Sequence, residues 1–170
     1  QEAVNFYLKE KFISFLQIEL ANNSFHARFD AKRRYYIYKI INRRAPLTFE
    51  KNRAHLVSRP LDLDAMRQGA SYLLGEHDFN SFRASQCSAK SSIKTIYNLE
   101  INKIDQLIEV HICANAFLHN MVRNIVGTLI MVGLNEITPQ KIEQILAAKS
   151  RSAAGPTAPP CGLYFLKAQY

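Results

Sequence analysis

Residues able to do chemistry gather on one stretch, Asn115 to Gly133. Apolar side chains fall at positions 117, 118, 121, 122, 125, 126, 129, 130 and 132, the two-wide stripe of an amphipathic helix with one buried face. His119, Asn120, Arg123, Asn124, Gly127 and Thr128 make up the other stripe. At about 100° per residue, Arg123 lies mid-stripe, with His119 one turn before it and Gly127 one turn after. A guanidinium would then project from a rigid helix beside a gap that holds no side chain. The plain alternative is a solvated helix face. Such a face normally carries Glu/Lys pairs four apart, and this one carries none; Asn, His, Thr and one Arg suit a polar or anionic partner better.

A second candidate lies on Lys32 to Ile41. Period-two alternation places Arg34, Tyr36, Tyr38 and Ile40 on one face of a strand and Arg33, Tyr35, Ile37, Lys39 and Ile41 on the other. Tyrosines interleaved with Arg and Lys suit nucleic acid, since rings stack on unpaired bases while cations hold phosphates. The alternative is a half-buried strand whose tyrosines only pack. His77 and Asp78 are neighbours, but adjacent residues of an extended segment point to opposite faces, which favours a loop contact over paired acid/base work. Cys87, Cys113 and Cys161 include no C-x-x-C pair, which speaks against a structural zinc or a disulfide framework and for a reducing compartment, the cytoplasm.

The elements that must position these residues follow from pattern. Val4 to Leu8 reads as a short helical piece, Phe12 to Leu20 as an apolar strand, and Ala21 to Ser24 as a turn joining two units. Asp62 is placed to cap a helix carrying Leu63, Met66, Ala70, Leu73 and Leu74, with Gly75 just past its end. Ile93, Thr95, Tyr97, Leu99 and Ile101 alternate as a strand, and Ile108, Val110, Ile112 and Ala114 as its hairpin partner across a turn at Asn102 to Gln106. Thr138 and Pro139 open a further helix bearing Ile142, Ile145 and Leu146. Ala153 to Pro160 is a rigid Pro-rich loop before a last strand from Gly162. Hairpins alternating with helices that share one side predict an α+β fold, a mostly antiparallel sheet with helices packed on one face.

The chain has 170 residues, 48% of them hydrophobic, with 22 Lys and Arg against 14 Asp and Glu for a net charge of +8. That is enough for a real core, and the charge favours a polyanionic partner. No apolar run reaches the roughly 18 residues of a membrane span. The opening Gln1-Glu2-Ala3 has no basic n-region or cleavage site and reads as the middle of a longer protein.

Five blocks in order carry a resemblance. They are Phe25-His26-Ala27-Arg28-Phe29, Arg34-Tyr35-Tyr36-Ile37-Tyr38, Gly75 to Ala84, Phe117 to Gly127, and Thr157-Ala158-Pro159-Pro160-Cys161-Gly162-Leu163-Tyr164. Together they resemble the tRNA pseudouridine synthase A family, from about residue 25 to the end. The resemblance implies two α+β domains flanking an RNA cleft, with residues 1–24 the remnant of the first domain and 25–170 the second. It implies isomerisation of uridines 38 to 40 in the tRNA anticodon stem-loop by a cytoplasmic homodimer without metal or cofactor.

In that family an aspartate within a Gly-Arg-Thr-Asp-Ala-Gly-Val-His block starts the reaction. The aspartates here are Asp30, Asp62, Asp64, Asp78 and Asp105, and none stands in such a block. The resemblance therefore implies a fragment, inactive alone, that supplies the other half of the site. Arg123 matches the residue pairing with the aspartate, Tyr36 the tyrosine stacking on the target base, and Leu163 the apolar residue packed against it. Arg33 and Arg34 join the RNA-binding set from the basic aromatic strand, and His26, Arg28, Arg83, Asn115 and His119 match polar positions suited to RNA. Ser91-Ser92-Ile93-Lys94 departs from the family, which usually carries a proline and an arginine there. Rival readings are an RNA-binding module without catalysis and a structural partner domain whose basic face is incidental.

Overall fold

The computed structural model describes residues 1–170, which divide into two compact units, Gln1–Asp30 and Ala31–Tyr170. In the first, α1 (Glu2–Leu8) buries no residue. The apolar run from Phe12 to Leu20 forms no strand, and Phe12, Leu16 and Leu20 are exposed. The physical reason is the lack of a neighbouring edge in this unit, because a lone strand leaves its backbone groups unpaired. Side chains of the helix serve instead: Asn5 Nδ2 donates to the Phe15 carbonyl at 2.9 Å while its Oδ1 accepts from the Phe15 N–H at 2.7 Å.

The second unit is one mixed sheet with helices on one face. Its elements are β1 (Arg33–Asn42), β2 (His55–Val57), α2 (Leu63–Ser71), β3 (Gly75–Asp78), β4 (Ile93–Ile104), β5 (Leu107–Ala114), α3 (Met121–Gly133), α4 (Lys141–Ala148) and β6 (Leu163–Gln169). The strands run β2-β1-β5-β4-β3, and β6 also pairs with β1. Only β1–β2 is parallel; the other pairings are antiparallel. Since β5 occupies one edge of β1 along Arg34 to Ile41, β6 and β2 share the other edge end to end, β6 against Arg33 to Tyr38 and β2 against Ile40 to Asn42.

Tyr38 and Ile40 of β1 bury with Val110 and Ile112 of β5 against Met66 of α2, Ile125 and Leu129 of α3 and Ile142 of α4. The β4–β5 turn is tighter than the sequence suggests, two residues with Asp105 at φ +53°. The alternation expected for β4 also breaks. A register shift between Ile96 and Asn98 is a bulge that flips the phase, so Ile96, Leu99 and Ile101 are buried while Ile93 and Tyr97 lie outside. Asp62 caps α2 as predicted, accepting from the N–H groups of Asp64 and Ala65 at 3.0 Å each. α4 starts at Lys141, two residues after Pro139, because Thr138 and Pro139 close turns through their carbonyls first. Gly75 to Asp78, read as a loop, is an edge strand on β4.

α3 begins at Met121, four residues inside the apolar stripe, after Asn120 in the left-handed region at φ +60°. The polar stripe is solvated only at its N-terminal end, where His119 is exposed. Asn124, Gly127 and Thr128 are buried with the apolar positions, beneath the strap formed by residues 151–160.

Candidate active site

β1 carries Tyr36 on the helix-facing side of the sheet, between Ile112 of β5 and Phe165 of β6. The rings of Phe117 and Phe165 each meet Tyr36 edge to face with centroids 5.2 Å apart, a geometry that restricts its rotation. Burial raises the Tyr36 pKa, opposed by the Arg34 guanidinium. The phenol is therefore neutral at physiological pH.

Arg123 lies in the first turn of α3. Its Nε donates to the Ala158 carbonyl at 2.6 Å and its Nη1 to Asn120 Oδ1 at 3.1 Å. No carboxylate of the chain pairs with it. Pro159, the next residue of the strap, accepts a hydrogen bond from the Tyr38 hydroxyl at 2.7 Å. Arg123 and Tyr38 are thus moored to consecutive carbonyls, close enough that the guanidinium opposes the rise that burial imposes on the Tyr38 pKa. Leu163 opens β6 directly opposite Tyr38 and packs on the core. Gly162 makes that approach possible, because a Cβ there would fall 2.7 Å from the Tyr38 ring and from the Lys39 carbonyl. Tyr36, Arg123 and Leu163 are therefore linked through Tyr38, two by neighbouring positions on β1 and β6 and one through the strap.

The other sequence candidates divide between several places. Arg34 Nη1 donates to the carbonyls of Ala31, at 2.7 Å, and of Asn115. Asn115 Oδ1 accepts from the N–H groups of Thr95 at 3.1 Å and Ala116 at 2.7 Å. This pair ties the end of β1 to β4 and β5. Arg83 Nη2 donates to the carbonyls of Cys87 and, at 3.0 Å, Ala89, while the His119 N–H donates to Cys87 Sγ at 3.3 Å. Arg83 and His119 are thereby brought together around one loop. Arg33 lies over the Tyr97 ring, 4.6 Å from its centroid, on the opposite face of the sheet from Tyr36. His26 and Arg28 belong to the first unit, where the Arg28 N–H donates to His26 Nδ1 at 3.2 Å. No group of three or more His, Cys, Asp or Glu could hold a metal ion, and no helix is long and apolar enough to cross a membrane.

A profile described as tRNA pseudouridine synthase matches residues 70–170. Two proteins named tRNA pseudouridine synthase A, from Ehrlichia canis (strain Jake) and Ehrlichia chaffeensis (strain ATCC CRL-10679 / Arkansas), are each 51% identical to all 170 residues, which span 69% of either relative. The chain belongs to this family. The matched segment runs from the end of α2 through β6, so it contains Arg83, Asn115, His119, Arg123 and Leu163 and leaves out Tyr36.

Sequence reasoning missed two groups around these residues. Phe165 sits on the Tyr36 side of β6, two residues beyond Leu163, and period-two alternation would have pointed to it. Asn124, Arg151 and Thr157 form a polar knot under the strap: Asn124 Oδ1 accepts from Thr157 Oγ1 at 2.6 Å and Arg151 Nη2 at 3.1 Å. Residues 27 and 33 positions away in sequence give no local signal of that contact.

Proposed function

We propose that this chain supplies the arginine, tyrosine and leucine of a tRNA pseudouridine synthase site, and that the nucleophilic aspartate comes from polypeptide outside it. The observation that carries the reading is Arg123: a guanidinium fixed at Nε and Nη1, with no carboxylate partner inside the chain. A fixed guanidinium with a free N–H edge is suited to hold an aspartate ionised and aimed. The absence of the Gly-Arg-Thr-Asp block and the extra length of the relatives support an external source for that aspartate.

Isomerisation breaks the bond from ribose C1′ to N1 of uracil, turns the base, joins C1′ to C5 and moves the C5 proton, leaving N1 protonated. No atom is gained or lost. The aspartate, ionised near neutral pH, starts the sequence as nucleophile or base. Tyr36 stacks on the base as a neutral phenol and relays the C5 proton, accepting on oxygen as its own proton leaves to water. Leu163 packs against the base, which has left the helical stack to be reached. Arg28, Arg33, Arg34, Arg83, His26, Asn115 and His119 serve the RNA, directly or by holding the surface it meets.

The substrate in this reading is the anticodon stem-loop of tRNA at uridines 38 to 40, and the enzyme is a cytoplasmic homodimer. The family resemblance supports both statements, and the three unpaired cysteines suit a reducing compartment. The test is tritium release from tRNA labelled at uridine C5, with this chain and the full-length polypeptide side by side. Release by the full-length protein alone is expected. Release by neither, with tRNA still bound, would replace the synthase reading with a non-catalytic RNA-binding one.

A further inference from the structure

Arg123 is oriented by the strap, and the strap by Asn124. The Ala158 N–H donates to the Arg123 carbonyl at 3.1 Å while Arg123 Nε donates back to the Ala158 carbonyl at 2.6 Å, so one residue holds both the backbone and the side chain of the arginine. Three further anchors fix the strap just before that point. Thr157 Oγ1 donates to Asn124 Oδ1 at 2.6 Å, the Gly155 N–H donates to Thr128 Oγ1 at 2.9 Å, and the Pro156 carbonyl fills the space over Gly127. Asn124 is fully buried and engaged at both ends of its amide: Nδ2 donates to the Phe82 carbonyl at 2.8 Å, and Oδ1 takes Arg151 as well as Thr157.

We propose that Asn124, Arg151 and Thr157 are positioning residues for Arg123, acting through the strap carbonyl of Ala158. The inference rests on the synthase reading for its catalytic consequence, though not for its geometry. The anchors at 155, 156 and 157 stand immediately before the residue that holds the guanidinium, so a lost anchor shifts the Ala158 carbonyl and with it the direction of the free N–H edge. Displacing a group that must meet a carboxylate in one geometry costs turnover more than substrate binding.

Thr157→Val removes one anchor at nearly constant volume, and Thr157→Ser restores the hydroxyl. The Thr157 hydroxyl also accepts from Arg151 Nη2 at 3.0 Å, so in the full-length polypeptide, assayed by tritium release, Thr157→Val removes both bonds and is expected to lower kcat about tenfold, with KM within about twofold. Thr157→Ser is expected to keep the wild-type kcat. In an Arg123→Lys background, which has no Nε to hold, Thr157→Val is expected to change kcat by less than about twofold. A second readout needs no activity: Arg123 Nε–H exchange, followed by nitrogen-15 NMR, is expected to quicken about tenfold in Thr157→Val while amides of β4 and β5 keep their protection.

Equal losses in both backgrounds, or unchanged Nε–H exchange, would overturn the positioning role. General loss of protection in Thr157→Val, repeated in Thr157→Ser, would overturn it in favour of a structural one. If Arg123→Lys leaves kcat unchanged, it is the synthase reading of Arg123 that fails, and the exchange result still decides the geometry.

Discussion

A Cβ built on Gly127 falls 1.7 Å from the carbonyl oxygen of Pro156. Helix α3 and the strap therefore meet backbone to backbone, and the gap that the sequence places beside Arg123 is filled by the chain itself. Because the obstacle is backbone, Gly127→Ala cannot be absorbed by a rotamer change. It is expected to destabilise the protein by about 3 kcal/mol. At about 2–4 °C per kcal/mol for a chain of this size, the melting temperature falls by about 6–12 °C, measurable by circular dichroism.

Alkaline pH acts on the tyrosines of β1. Burial raises the pKa of both Tyr36 and Tyr38, so above the ordinary value of about 10 the unfolded chain loses these protons before the folded one does. Stability is full below that pH and declines as pH rises beyond it. In a spectrophotometric titration of the eight tyrosines, a late class is expected whose amplitude shrinks in Tyr36→Phe. An unchanged late class would contradict the assignment.

Cys87 is expected to alkylate well before the buried Cys113. Burial alone would raise its pKa, but the N–H groups of His119 and Ala89 and the Arg83 guanidinium together outweigh burial and lower it. Cys113 is buried on β5. Iodoacetamide near neutral pH, followed by peptide mass spectrometry, should label Cys87 well before Cys113, and Arg83→Ala should slow that labelling.

The α2 cap offers a smaller test. Asp62→Ala removes the acceptor of two N–H groups and is expected to cost about 1 kcal/mol, or about 2–4 °C in melting temperature.

What the sequence made legible was periodicity. The α3 stripe, the β1 alternation and the Asp62 cap are local patterns, and the lone cation on an uncharged stripe drew attention to Arg123. What it concealed was contact at a distance. Asn124 and Thr128 look like an outward face because their partners, Gly155 and Thr157, lie far along the chain in a strap of small residues and prolines with no periodic signal. β3 escaped notice because Gly75-Glu76-His77-Asp78 has none of the β-branched or aromatic residues that mark strands. The bulge at Tyr97 shifted a pattern that alternation assumed to be continuous. Phe12 to Leu20 misled in the opposite sense, since apolar composition suggests a strand whether or not an edge exists to receive it.

If Arg123 serves the reacting carboxylate, the full-length Arg123→Ala variant must fail to release tritium from uridine C5 at the normal rate. Alanine removes the guanidinium while leaving the helix former in place. Turnover is expected to fall at least about a hundredfold, on the scale of removing one charged group that acts in a reaction, with tRNA affinity near that of the unsubstituted protein and a melting temperature lower by only a few degrees for the lost bonds to Ala158 and Asn120. Turnover within a few-fold of the unsubstituted enzyme would contradict that role.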